Sequence, residues 1–241
     1  MCIIRFEHVV KILGGKEILK DFNLSIGEGE FLTVIGRSGC GKTTMLKLIN
    51  GLLLPDQGDI FVEGANLKET DMIALRRRMG YVIQNKGLFP HMTVEKNITY
   101  VPVISGKKNK EENHQLALKL LRLVGLEEEM AKRYPEELSG GQQQRVGIAR
   151  ALAANPRILL MDEPFGALDE ITRQTMQDEI LKLQRKLKLT VVFITHDIRE
   201  AMKLGDRILV MNAGKTLQLD IPENIRLHPI NDFVKELVKS V

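Results

Sequence analysis

Short apolar runs rich in β-branched residues alternate along this chain with longer stretches whose apolar residues recur at helical spacing. The first kind predicts strands over Ile3–Val9, Phe31–Ile35, Tyr81–Ile83, Ile158–Met161, Val191–Ile194 and Ile208–Met211. The second predicts helices over Lys42–Asn50, Thr70–Met79, Lys110–Val124, Gln142–Ala154, Thr172–Lys186 and Ile198–Lys203. The sequence closes on a short amphipathic stretch, Asp232–Val238. Strands alternating with helices imply an α/β fold with a mostly parallel sheet covered on both faces. The rhythm breaks between about Asn85 and Ala154, where helical pattern runs without a convincing strand. That region predicts a helical subdomain inserted into the α/β core.

Composition narrows the class without naming a function. The 241 residues suit one α/β domain with an insertion. With 44% hydrophobic and 27% charged residues, the chain is neither disordered nor low-complexity. No apolar run approaches the roughly 18 to 20 residues that cross a bilayer. Arg5, Glu7 and His8 interrupt any apolar core at the N-terminus, so no signal peptide is expected. A cytosolic location follows, unless a partner holds the chain on a membrane. Cys2 and Cys40 are too few for a disulfide framework or a zinc site. The net charge of +4 permits contact with phosphate or anionic lipid but does not argue for it. With no Trp and 5% aromatics, a base-stacking platform for single-stranded nucleic acid is not expected.

Candidate chemistry begins at Gly36-Arg37-Ser38-Gly39-Cys40-Gly41-Lys42-Thr43, between a predicted strand and a predicted helix. This is the Gly-x-x-x-x-Gly-Lys-Thr phosphate loop in the context that gives it meaning. Its glycines let successive backbone N–H groups form an anion nest, and the helix N-terminus adds partial positive charge. Lys42 is placed to neutralise the β- and γ-phosphates and the Thr43 hydroxyl to ligate Mg²⁺. The nucleotide-contacting set therefore runs from Gly36 through Thr44. Cys40 could be acidified at a helix start, but backbone amides are what the chemistry needs there, so it reads as filler.

Ile158–Met161 leads into Asp162 and Glu163, a buried-strand pattern ending in two acids. Strand ends are where an open α/β sheet binds ligands. Asp162 is the candidate for the Mg²⁺ shell, and Glu163 for orienting and deprotonating an attacking water. Thr195-His196-Asp197 ends the next predicted strand, so His196 could reach the same rim and contact a γ-phosphate.

Leu138-Ser139-Gly140-Gly141-Gln142 stands just before a predicted helix. Together with the phosphate loop and Asp162-Glu163, it makes the chain resemble an ABC-type ATPase, the nucleotide-binding subunit of an ATP-binding cassette transporter. The resemblance runs from Ile3–Val9 to about Phe233. It implies a P-loop NTPase (RecA-like) core with a mostly parallel sheet, an N-terminal antiparallel β region and an inserted helical subdomain. The implied divisions are residues 1–84 and 156–225 for the two parts of the core, 85–155 for the helical subdomain and 226–241 for a C-terminal tail. By the same resemblance, Ser139, Gly140, Gly141 and Gln142 bind the nucleotide of a second copy, so that two head-to-tail copies enclose two ATP molecules. Gln84 matches the glutamine that touches Mg²⁺ and the attacking water, and Asp169 matches a dimer-contact aspartate.

Finer likeness points to importers of quaternary-amine osmoprotectants. It rests on Gly87-Leu88-Phe89-Pro90-His91-Met92-Thr93-Val94, Asp169-Glu170-Ile171-Thr172-Arg173, Thr195-His196-Asp197-Ile198 and Asn231-Asp232-Phe233-Val234. It implies a chain peripheral to the cytoplasmic face of the cell membrane, held by integral-membrane permease subunits that contact Gly87–Val94. Leu88, Phe89 and Met92 are expected to be exposed there. An extracytoplasmic substrate-binding protein would be an indirect partner, and no nucleic acid is expected. A soluble ABC ATPase acting on DNA or ribosomes is the alternative, but the separation of Thr43 from Asp162 leaves no room for a long coiled coil. A small-molecule P-loop kinase leaves Leu138–Gln142 unexplained. Three departures from the family pattern stand out: Leu13 where an aromatic usually stacks on adenine, Gly166 where relatives often carry Ser, and no paired regulatory CBS modules within these residues.

Overall fold

The computed structural model describes residues 2–83, 87–107, 109–166 and 168–239. In chain order the strands are β1 (Cys2–Leu13), β2 (Lys16–Gly27), β3 (Phe31–Gly36), β4 (Gln57–Val62), β5 (Ala65–Asn66), β6 (Met79–Val82), β7 (Ile158–Asp162), β8 (Thr190–Ile194), β9 (Arg207–Asn212) and β10 (Lys215–Asp220). The α-helices are α1 (Lys42–Ile49), α2 (Met72–Arg78), α3 (Val94–Ile104), α4 (Lys110–Leu123), α5 (Gly140–Leu152), α6 (Glu170–Leu187), α7 (Ile198–Leu204), α8 (Pro222–Leu227) and α9 (Asp232–Val238). They group into two compact units, residues 1–76 with 187–241, and residues 77–186.

The first unit carries two sheet arrangements. An antiparallel one runs β2-β1-β4-β5. Burial alternates along β1 through Ile4 and Phe6 and shifts phase to Val9 and Lys11 across the bulge at His8, and Phe6 meets Phe22 edge-on with ring centroids 5.4 Å apart. In the other, β3 lies parallel to both β8 and β9, and β10 closes antiparallel on β9. The β3 residues Phe31–Ile35 and all of β8 are buried, as expected of strands covered on both faces. Behind β3 and β9, Ile35, Ile198, Val210, Ile225, Val234 and Val238 form one apolar cluster that seats α7, α8 and α9.

In the second unit β6 lies parallel to β7, with Tyr81 opposite Leu160. Helices α3, α4 and α5 pack on one another. No strand is described between residues 87 and 157. Among the described residues no helix is long and apolar enough to cross a membrane.

The structure adds elements that periodicity did not predict. β2 is bulged against β1 and turns through Asp21 at φ 46°, so its alternation slips out of phase. β10 lacks buried residues and reads as polar. α3 is rich in β-branched residues and holds Pro102, a composition unfavourable to helix. It forms because Thr93 accepts a hydrogen bond from Lys96 N and because Val94 and Ile98 are fully buried.

Candidate nucleotide site

β3 delivers the chain into the phosphate loop, and tertiary contacts dictate its glycines. A Cβ on Gly36 would stand 2.2 Å from the Met211 carbonyl oxygen and 2.8 Å from Cys40 Sγ. Gly41, at φ 107°, is the N-cap of α1, and a Cβ there would meet Leu19 Cδ2 at 2.9 Å. The loop is gripped from the turn between β9 and β10. Gly214 N donates to Cys40 O at 3.1 Å, while Lys20 N donates to Gly214 O at 3.0 Å. Within the loop, Cys40 N donates to Arg37 O at 3.2 Å. Lys42 is 8% exposed, and its ammonium donates to Gly36 O at 2.7 Å and Arg37 O at 3.2 Å. Its charge is thus held inside the loop, while Arg37, Ser38 and Gly39 are exposed and Thr43 and Thr44 half-buried. No side chain caps α1, so its positive end faces the loop unscreened by a local acceptor. Cys40 is buried, and burial pushes its thiol up against the opposing pull of Lys42, which disfavours a reactive thiolate.

His196 lies level with this loop. Val34 pairs with Ile194, so Gly36 and His196 each follow the paired residues by two positions on adjacent parallel strands. The neighbouring Thr195 is buried; its hydroxyl donates to Glu200 Oε2 at 2.5 Å and accepts from Asp197 N at 3.0 Å. Asp197 caps α7, accepting from Arg199 N at 2.8 Å. Buried Glu200 is a supporting residue the sequence reading missed. His196 itself is exposed.

In the other unit, β7 is buried throughout and ends in Asp162, 3% exposed. Tyr81 is pushed up to about 12, by burial first and by the Asp162 charge second. Glu163 follows at φ 47°, half-buried. A non-glycine residue in that region costs roughly 1–3 kcal/mol, so its surroundings fix the backbone there. The Glu163 carbonyl accepts from Gly166 N at 3.4 Å, starting the reversal that leads into α6. Asp169 serves as a helix cap, accepting from Thr172 N at 2.9 Å, and that bond holds its carboxyl below the usual range.

α5 begins with a capping box. Ser139 Oγ accepts from Gln142 N at 3.2 Å, and Gln142 Oε1 accepts from Ser139 N at 2.9 Å. Ser139 is exposed, and Gly140, Gly141 and Gln142 are half-buried. Gln143, which the sequence reading passed over, donates to Pro135 O at 2.8 Å and Leu138 O at 3.1 Å, fixing the approach to the helix.

Gln84 lies outside the described residues. Downstream of it, Gly87 O accepts from Arg150 at 2.7 Å. Asn97 is fully buried and locks the following loop, accepting from Phe89 N at 2.8 Å and donating to the Phe89, Met92 and Thr93 carbonyls at 3.1 Å. Phe89 is thereby folded against Tyr100, centroids 4.8 Å apart. For this reason Leu88, Phe89 and Met92 are half-buried, not exposed as expected, and Gly87, Pro90 and His91 are the exposed residues of the segment. Leu13 stands 39% exposed at the β1–β2 hairpin, beside exposed Ile12.

Residues 19–166 match the family described as ABC transporter. The chain is 51% identical over 237 residues to the glycine betaine/carnitine/choline transport ATP-binding protein OpuCA of Bacillus subtilis (strain 168), covering 98% of this chain and 62% of that protein. It is 46% identical over 234 residues to the glycine betaine uptake system ATP-binding protein YehX of Escherichia coli (strain K12), covering 97% of this chain and 76% of that one. It thus spans about three fifths of the length of OpuCA and similar relatives. The fold superposes with a TM-score of 0.86 and 36% identity on a dimeric post-hydrolysis ATP-binding cassette bound to ADP and Pi, covering 91% of this chain and 99% of that one. The loop that holds Lys42, the acids closing β7 and the matched length together place the chain in the ABC transporter family, among its ATP-binding subunits.

Proposed function

We propose that this chain binds and hydrolyses ATP-Mg²⁺ to power a membrane importer of quaternary-amine osmoprotectants. The observation that carries the first half is the phosphate loop: an uncapped helix start, two glycines whose neighbours leave no room for a Cβ, and a buried lysine ammonium inside the turn. The relatives named for glycine betaine, carnitine and choline transport support the substrate class.

The residues present suit the reactants. Amides of the Gly36–Thr44 segment and Lys42 bind the phosphates. The Thr43 hydroxyl and the Asp162 carboxylate are hard oxygen donors of the kind Mg²⁺ takes, with Gln84 as a third. Bound there, Mg²⁺ supplies neutralising charge on the phosphate oxygens. Glu163, whose backbone its surroundings hold in place, orients the attacking water and takes its proton, while His196 contacts the γ-phosphate. Ser139, Gly140, Gly141 and Gln142 meet the nucleotide of a second, head-to-tail copy. ATP then bridges the pair only when it is closed, and hydrolysis reopens it.

In this reading residues 85–155 act as the helical signature subdomain between the core parts 1–84 and 156–225, with 226–241 as a tail. Integral-membrane permease subunits dock near Gly87–Val94 and hold the chain on the cytoplasmic face. An extracytoplasmic substrate-binding protein supplies specificity indirectly.

Glu163→Gln tests the chemistry. Turnover should fall by about 10²- to 10⁴-fold while ATP binding persists and a closed pair accumulates. Hydrolysis near the wild-type rate would remove Glu163 as the base. The same variant, captured with ATP-Mg²⁺ from gently solubilised cells, should bring a multi-span permease with it; recovery of ribosomes or DNA-bound proteins instead would remove the transport role.

A further inference from the structure

The C-terminal helix reaches the phosphate loop. The Arg37 guanidinium lies over the Phe233 ring, 5.0 Å from its centroid. Phe233 lies in the first turn of α9, which is held firmly. Asn231 accepts from Val234 N at 3.0 Å, and Val234 and Val238 are buried in the cluster with Ile35, at the end of β3. Phe233 packs half-buried against that cluster, so its ring is a fixed surface and not a swinging one.

Arg37 is a sensitive residue to hold. Its carbonyl accepts both the Lys42 ammonium, at 3.2 Å, and Cys40 N, at 3.2 Å. The side chain is otherwise exposed on a loop whose next two residues are exposed as well. A long, solvated arginine carries much rotamer entropy and leaves the backbone it hangs from free to wander. Laid on a fixed ring, it steadies the carbonyl that positions Lys42 and the turn that presents the Ser38 and Gly39 amides. Ordering those groups before the ligand arrives removes a cost from binding.

We propose that Phe233 is a positioning residue for the phosphate loop: it grips Arg37 from α9 and thereby sets the affinity for ATP without touching the nucleotide. The proposal rests on the reading that this loop binds ATP. Its effect belongs to binding, so KM for ATP rises on its loss while kcat stays.

The test compares Phe233→Leu, Phe233→Tyr, Arg37→Ala and the double variant Phe233→Leu/Arg37→Ala, titrated with ATP-Mg²⁺ and assayed for turnover, with thermal unfolding recorded for each. Phe233→Leu keeps apolar bulk and removes the ring face. It and Arg37→Ala should each weaken ATP binding about two- to fivefold, and the double variant no further than either alone. Phe233→Tyr restores the ring and should bind ATP as the wild type does. A folded Phe233→Leu that binds ATP normally overturns the proposal, as do losses that simply add in the double variant, or a Phe233→Tyr as weak as Phe233→Leu. A wild-type chain that fails to bind ATP would instead remove the ATP reading itself, and this proposal with it.

Discussion

Two helices in this molecule begin at glycine-rich segments, and they begin in opposite ways. α1 starts from Gly41 at φ 107° with no side-chain cap, its loop clamped by β2 and by Gly214 and its lysine folded inward. α5 starts from Ser139 at φ −62° with a reciprocal cap in which Ser139 and Gln142 satisfy each other. The first, on the proposed reading, takes its anion within one chain: it offers positive charge, a helix end without a side-chain cap, and a backbone that neighbours permit only for glycine. The second meets two of its own orphan N–H groups, those of Ser139 and Gln142, from its own sequence and leaves an exposed serine beside two glycines. On the proposed reading it meets phosphate with the N–H groups the cap does not cover, on a surface completed by a second copy.

The largest test of this contrast is Gly36→Ala. Its Cβ would arrive 2.2 Å from the Met211 carbonyl, a backbone atom that cannot swing aside. Loss of about 3 kcal/mol of stability is expected in urea unfolding, together with loss of ATP binding by the isolated chain. A Gly36→Ala protein of wild-type stability and affinity would mean that the loop is not clamped. Ser139→Arg probes the other helix. One chain should still bind ATP within about twofold of wild type, because the phosphate loop is untouched. ATP-dependent pairing should vanish and turnover fall by about a factor of ten or more. Ser139→Ala, which loses only the cap at about 1 kcal/mol, separates the added bulk from the lost hydrogen bond. If Ser139→Arg pairs and hydrolyses normally, α5 is an ordinary capped helix.

What could be read from the sequence follows the same division between local and assembled chemistry. The phosphate loop is contiguous: Gly36, Gly41, Lys42 and Thr43 carry their proposed role in their spacing, and the flanking β3 and α1 carry clear periodicity. Asp162 and Glu163 were legible because a wholly apolar strand ended in two acids. The residues that hold the sites in shape were not, because their partners come from elsewhere in the chain. Gly214 grips Cys40 across a long sequence separation, and Glu200 answers the hydroxyl of Thr195 only once α7 has packed. Asn97 left a faint signal, a polar residue among Val94, Ile98 and other apolar positions. Its role in locking the 89–93 turn, and hence in half-burying Leu88, Phe89 and Met92, required the fold. β2 and α3 were hidden by a bulged register and by Pro102, local preferences that packing overrides.

The smallest effect gives the sharpest comparison, because it makes the same chemical change as Gly36→Ala and expects the opposite sign. Gly147 lies two turns into α5, in regular helix without positive φ, and an added Cβ meets nothing within 4 Å. Val82, Ile83, Gln144 and Arg150 line a small space around it, so the methyl group enters room that already exists. A helix-interior glycine carries an entropic penalty of roughly 0.5–1 kcal/mol relative to alanine, and here no steric term opposes its removal. Gly147→Ala should therefore raise the melting temperature by about 1–4 °C for a chain of this size, with ATP affinity unchanged. A drop in Tm would show that α5 is packed as tightly as the phosphate loop, and the distinction between a site built closed and one built to be completed would lose its structural basis.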